Sequence, residues 1–219
     1  MSKRVLCSLI LAVLSLSGCA FAQTKSSRAH GIFEGSTDVG VTLKGSTVFD
    51  RKSGEYRMTG GGADMWGETD ALHLSWTKIA GDAALSADVH FPSGPLVPLE
   101  KAVLIFRQSL DPGSAYADVA IHGDGHITLQ YRAVAGGKTE DTTSTVHGSS
   151  TEHGTRLRIE RQGDQFTISA GPEDGKMVAS APVTIVLHDP VYVGLGMCAH
   201  DAKGLAGVTI ANVRLERKP

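Results

Sequence analysis

Long apolar stretches with a helical period are scarce in this sequence, and aromatic residues make up only 5% of it. A bundle of amphipathic helices is therefore not expected. With 26 glycines and many short alternating segments, the chain is better suited to strands joined by tight turns. Cysteine is also scarce. Of the three, Cys7 and Cys19 fall in the N-terminal leader region and Cys198 stands alone, so no internal disulfide can form. Charge of one sign is lacking too: 21 basic residues against 23 acidic ones, net -2, set up no field that would recruit nucleic acid or an anionic surface. There is no G-x-S-x-G elbow, no phosphate-binding loop and no C-x-x-C pair.

The 219 residues, less a leader, suit one all-β domain. Residues 1–22 read as a signal peptide. Lys3 and Arg4 form the charged start, Val5 to Leu16 the apolar run, and Ala20-Phe21-Ala22 a small-residue cleavage site. A second reading overlaps the first, because Leu16-Ser17-Gly18-Cys19 has the form of a bacterial lipobox whose cysteine becomes lipidated. The apolar run is short for a bilayer span. Export to the periplasm or cell exterior is expected under both readings, with membrane attachment only through a lipid on Cys19. A polar linker, 23–33, leads into the domain, 34–219.

The central stretch KAVLIFRQSLDPGSAYADVAIHGDGHITLQYR, residues 101–132, reads as three antiparallel strands. Across the turn Gly123-Asp124-Gly125, pairing residues whose numbers sum to 248 sets His122 opposite His126, Ala120 opposite Thr128, Asp118 opposite Gln130 and Tyr116 opposite Arg132. Side chains alternate with period two along a strand, so these residues share one polar face. Ile121 with Ile127, Val119 with Leu129 and Ala117 with Tyr131 form an apolar layer on the other. Further strands are expected at 47–50, 55–59, 71–77, 83–91, 137–146, 156–161, 165–170, 183–187, 191–199 and 206–216, separated by breaks such as Gly60-Gly61-Gly62 and Gly163-Asp164. Pro92, Pro95 and Pro98 mark a rigid loop at 92–100 that would wall a site. Arg156 and Arg158 lie on the charged outer face of a surface hairpin, as a solvated face or as the lining of a groove.

Three motifs, GGGADMWGETDALHLSWTKIAGDAALSADV, KAVLIFRQSLDPGSAYADVAIHGDGHITLQYR and VYVGLGMCAHD with GVTIANVRL, carry a resemblance over residues 35–216. The chain resembles bacterial exported domains of the concanavalin-like jelly-roll family found beside or fused to Tol-type β-propeller proteins. It is more distantly similar to the accessory β-sandwich domains of β-xylosidases. The resemblance implies a concanavalin-like jelly-roll β-sandwich of two antiparallel sheets. By fold analogy it also implies carbohydrate binding or, alternatively, a protein interaction in an envelope system. No strand shows the E-x-D-x-x-E pattern of laminarinase-like jelly-roll enzymes, so a glycoside hydrolase is the second alternative; it would need a pair such as Asp118 with Glu68 or Asp124.

The expected ligand site is the polar strand face of Arg107, Asp118, His122, Gln130 and Arg132, rimmed by Tyr116 and Trp66. Taking Arg107 across the Asp111-Pro112-Gly113 turn from Asp118 gives a row Arg107, Asp118, Gln130. Guanidinium, carboxylate and amide together offer the donors and acceptors that vicinal sugar hydroxyls need. The competing reading is a structural ion pair of Arg107 and Asp118 under a covering loop. Trp76 follows Leu72 and Leu74 at strand spacing and reads as core. Trp66 lies in a turn-rich segment, where packing and ligand stacking are both open. His122, Asp124 and His126 have a spacing that a divalent metal could use, as do Asp64, Glu68 and Asp70 for calcium, but neither set is diagnostic. No cofactor is expected, and no catalytic residue is assigned. Cys198 reads as a small buried hydrophobe; as a nucleophile it would need His200, two residues along, as its base.

Overall fold

The computed structural model describes residues 29–92, 96–142 and 154–218. The leader, the lipobox with Cys19, and Pro95 lie outside the described residues. Among those described there are seventeen strands and no helix. In chain order the first nine are β1 (Gly35–Val39), β2 (Ser46–Asp50), β3 (Glu55–Gly62), β4 (Met65–Trp66), β5 (Thr69–Asp70), β6 (Leu72–Ile79), β7 (Ala83–His90), β8 (Lys101–Arg107) and β9 (Tyr116–His122). The rest are β10 (Ile127–Arg132), β11 (Glu140–Thr142), β12 (Thr155–Gln162), β13 (Gln165–Pro172), β14 (Val178–Ala179), β15 (Val183–Thr184), β16 (Val191–Cys198) and β17 (Asp201–Arg217).

Two large antiparallel sheets result. One runs β1-β6-β16-β8-β9-β10-β11 and the other β14-β13-β12-β7-β17-β3-β2, with β15 also on β13; β4 and β5 form a separate small hairpin. The alternation of the central strands decides what each face of the first sheet does. Ala117, Val119, Ile121, Ile127 and Leu129 point inward and meet Leu85, Leu157, Ile159 and Phe166 of the second sheet in the main core. This is the layered packing expected of a sandwich. Within it Phe106 and Phe166 stack edge to face, with ring centroids 5.7 Å apart.

The opposite face of the first sheet is covered as well. Met65, Leu72, Leu74, Val103, Ile105, Tyr116 and Cys198 form a second apolar cluster beneath segment 63–71. Two glycines let that segment lie flat. At Gly62 (φ 113°) and Gly40 (φ 70°) a Cβ would run into the Ala71 and Asp70 carbonyls respectively, and both positive φ values favour glycine. Gly60-Gly61-Gly62, expected as a turn, instead extends β3 opposite β17, whose ladder shifts register between Asp201 and Ala206. Trp76 is half-buried and packs against the second cluster, edge-on to Tyr192 at 5.2 Å.

Candidate functional site

The β9–β10 ladder has the register set by the Gly-Asp-Gly turn: Ala120 faces Thr128, Asp118 faces Gln130 and Tyr116 faces Arg132. The β8–β9 ladder differs from expectation by two residues. Arg107 stands opposite Tyr116, and Asp118 opposite Ile105. A shift of two keeps every side chain on its face but changes its partners. The expected row Arg107, Asp118, Gln130 is therefore replaced by two rows, Arg107-Tyr116-Arg132 and Ile105-Asp118-Gln130.

The first row is sealed. Arg107, Tyr116 and Arg132 have 0% exposure, and the counter-ion of the arginines is Asp70, not Asp118. Arg107 Nη1 donates to Asp70 Oδ2 at 2.8 Å, and Arg132 donates through Nη1 and Nη2 to both carboxylate oxygens at 3.0 and 2.7 Å. Their remaining donors reach the Ser109, Asp111, Ser114 and Gly67 carbonyls and the Thr139 hydroxyl. The Tyr116 ring lies under Arg132 at 5.1 Å, with its hydroxyl 3.2 Å from Thr139 Oγ1. With no donor facing solvent, these three side chains cannot contact a ligand in this conformation. Their role is to clamp the 65–70 hairpin, and with it Trp66, onto the sheet.

The second row backs an open cavity of about 310 Å³, at the small end of ligand-binding clefts. Trp66, 43% exposed, lines it with Leu99, so the proline-marked loop does supply a wall. Lys101, His122, Thr128 and Gln130 line it from the strands, and Asp64, His126, Asp141 and His200 complete it. Of the seven expected ligand residues the cavity gathers Trp66, His122 and Gln130. Arg107, Arg132 and Tyr116 lie under the hairpin, and Asp118 is not part of the lining.

Several polar atoms here lack partners. Thr128 Oγ1, Gln130 Oε1 and both Asp118 carboxyl oxygens are buried without a hydrogen bond among the described residues. Such groups are costly in a folded interior and call for a cause. Burial pushes the Asp118 carboxyl well above the ordinary carboxylate range; the Lys101 charge opposes this and the Asp70 charge adds to it. His122 Nδ1 is 3.1 Å from the His126 carbonyl, which makes it the protonated nitrogen and leaves Nε2 as an acceptor toward the Gln130 amide at 3.5 Å. Burial, aided by the Lys101 charge, pushes His122 down to about 4, so its ring is neutral at pH 7. The Lys101 ammonium sits 3.1 Å from Asp64 Oδ1.

The metal spacing on the hairpin is put to other uses. Asp124 Oδ1 accepts from the His126 backbone N–H at 2.9 Å, an Asx turn. Asp70 and Asp64 likewise serve the arginine clamp and Lys101. Among the described residues no three metal-ligating side chains converge. Cys198 is buried, its thiol pushed up to about 11 by burial. His200, at φ 52° beyond the strand end, lies toward Asp64 at 3.5 Å.

Lys101 and Thr128 were missing from the expected site. Their signal was parity, since Lys101 shares the odd-numbered face of Arg107, and Thr128 the even-numbered face of Gln130. Asp141 is brought in by the β10–β11 ladder, where it stands opposite Gln130, and His200 by tertiary structure alone.

No family model and no curated protein matches the chain. Solved structures do match it. One is a functionally unknown protein from Saccharomyces cerevisiae, 19% identical with a TM-score of 0.60 over 84% of this chain and 97% of that one. Another is a carbohydrate-binding module from Bacillus subtilis, 14% identical with a TM-score of 0.55 over 84% and 96%. A xylan β-1,4-xylosidase from Bacillus halodurans is 11% identical with a TM-score of 0.58 over 78% of this chain but 34% of the enzyme. At such identities the likeness is one of fold, and the fold is the all-β, concanavalin-like jelly-roll sandwich.

Proposed function

We propose that this protein is an exported, non-catalytic binding module of the bacterial cell envelope, and that its ligand is a glycan held in the Trp66 cavity. The observation that carries this reading is an exposed indole on the wall of a cavity whose lining is otherwise largely polar. A sugar ring offers both complements, an apolar face for Trp66 and hydroxyls for exposed polar groups such as Asp141. The cavity volume suits one terminal ring rather than a long chain segment. Fold likeness to a carbohydrate-binding module supports the reading, and the leader-like residues 1–22 support export. The resemblance to Tol-associated domains supports placement in the envelope. The hydrolase alternative is less well supported, since neither Glu68 nor Asp124 lines the cavity and the Asp64 carboxylate is engaged by Lys101.

One surface favours the rival protein-interaction reading: Val134 and Val186, 66% and 54% exposed, line a shallow apolar hollow that shares no residue with the Trp66 cavity. A glycan-array screen of the wild type beside Trp66→Ala separates the two. Trp66 is exposed, so the variant folds, and sugar binding should fall by about tenfold or more. Binding to no sugar at about millimolar concentration would sink the glycan reading. Unchanged binding in the variant would move the site.

A further inference from the structure

The outer face of the second sheet holds a different kind of cavity. It has a volume of about 370 Å³ and lies over the middle of β12, β7 and β17. The ladders lay out its floor. Arg158 of β12 and Arg214 of β17 both stand opposite Ser86 of β7, so two guanidinium side chains flank a small residue in one row. In the next row Arg156 stands opposite Asp88.

The cavity is built from fixed parts. The Asp88 side chain has 0% exposure and binds Arg156 through Nε and Nη2 at 2.7 Å each. Asn212 donates to the same carboxylate at 2.7 Å. Burial alone would raise the Asp88 carboxyl, but these bonds outweigh it and hold it below its ordinary value. Asn212 has φ 51° at the point where β17 shifts register against β7, between Ala211 and Arg214. Bulges of this kind re-aim side chains, and a non-glycine residue at positive φ is uncommon enough to need a reason. Asn212 completes the clamp on Asp88, which orients Arg156 through Nε and Nη2 and leaves its Nη1 without a hydrogen bond among the described residues. Arg158 is engaged by Glu216 and Glu160, and Glu160 also holds Lys218. Arg214 is exposed and has no ionic partner among the described residues. Arg156 also lies in the field of Glu173 and Asp174, so the positive charge left for a ligand is that of Arg214.

We infer that this cavity is a second ligand site, taking the carboxylate of a small acidic molecule about the size of one sugar ring. The carboxylate would lie over Ser86, bound by the free donors of Arg214 and Arg156. The planar guanidinium fork of the unpaired Arg214 matches a carboxylate. A hydroxyl on the ring can reach Ser86. This site shares no residue with the Trp66 cavity, so the two readings stand or fall separately.

The test is calorimetric titration of the protein with glucuronate, with glucose and inorganic sulfate as comparison probes, at low and physiological salt. Expected are millimolar or tighter binding of glucuronate, weaker binding of sulfate, none of glucose, and loss of affinity as salt screens the charge. Arg214→Gln should weaken glucuronate about tenfold, the loss of one charge-assisted contact. The side chain is exposed and unpaired, so this variant keeps its fold. Ser86→Leu, which fills the floor without changing charge, should do the same. No glucuronate binding by about 10 mM, equal binding in Arg214→Gln, or sulfate bound more tightly than glucuronate would each overturn the inference.

Discussion

Replacing Asp70 by Asn tests the clamp that shapes the Trp66 cavity. The substitution preserves size and removes one charge. Asp70 is the only carboxylate hydrogen-bonded to Arg107 and Arg132 among the described residues, accepting three bonds of 2.7 to 3.0 Å in a place where all three side chains have 0% exposure. Arginine cannot discard its proton. In the variant two guanidinium charges therefore stay buried with only carbonyl and hydroxyl partners, and the amide nitrogen of Asn points donors at donors. Breaking a buried pair from one side costs roughly 3–5 kcal/mol. For a chain of this size each kcal/mol lowers Tm by about 2–4 °C, so a fall of roughly 6–20 °C is expected. Urea unfolding should show the same loss as a lower midpoint. Amide exchange in the 65–70 hairpin should accelerate beyond that of the β9–β10 ladder, because the hairpin loses its anchor first. A loss below about 1 kcal/mol, with the hairpin amides still protected, would refute the claim that this network holds Trp66 in place.

Three further outcomes follow from the buried groups. His122 has a folded value of about 4 against 6.5, so the unfolded chain takes up its proton first as pH falls. His122 should therefore make the wild type lose about 3 kcal/mol relative to His122→Gln between pH 6.5 and 4, and parallel pH profiles in urea unfolding would contradict this. Asp118 shifts the other way: with its folded value raised, its contribution is present at low pH and lost as pH rises through that value. Asp118→Asn, the shape of the neutral acid, should gain on the wild type as pH rises from the ordinary carboxylate range through the raised folded value; a variant that loses ground to the wild type as pH rises would refute the buried-acid reading. Cys198, its thiol raised to about 11, should react with a thiol reagent only on unfolding, and rapid labelling of the native protein would show the thiol to be accessible.

How far the sequence foretold this structure depended on distance along the chain. The β9–β10 register follows from the Gly-Asp-Gly turn, because a tight turn fixes pairing and period-two alternation then fixes both faces. The β8–β9 connection contains a turn too, yet the ladder does not centre on it: Gln108 donates to the Ala115 carbonyl, and Arg107 falls opposite Tyr116. Parity survived that displacement, so the polar face was right while the partners were wrong. Asp70 was the hardest residue to place. In sequence it sits in a turn-rich segment that resembles a weak calcium loop, and only the folding of 63–71 across the sheet brings it between two arginines far away in the chain. The ion pair under a covering loop was thus the right kind of structure with a different acid. The cavity shows the same limit, since Trp66, His122 and Gln130 were legible from pattern and turn chemistry, whereas Asp141 depends on the β10–β11 register and His200 arrives through long-range packing.

The most direct test of the central claim is glycan binding measured on the wild type, Trp66→Ala and Asp70→Asn together. The wild type should bind at least one sugar at about millimolar or better affinity. Trp66→Ala, with unchanged stability, should lose about tenfold or more. Asp70→Asn should lose binding through the displaced hairpin in step with its lost stability. Sugar binding that survives intact in both variants would contradict the account, as would no sugar binding by the wild type.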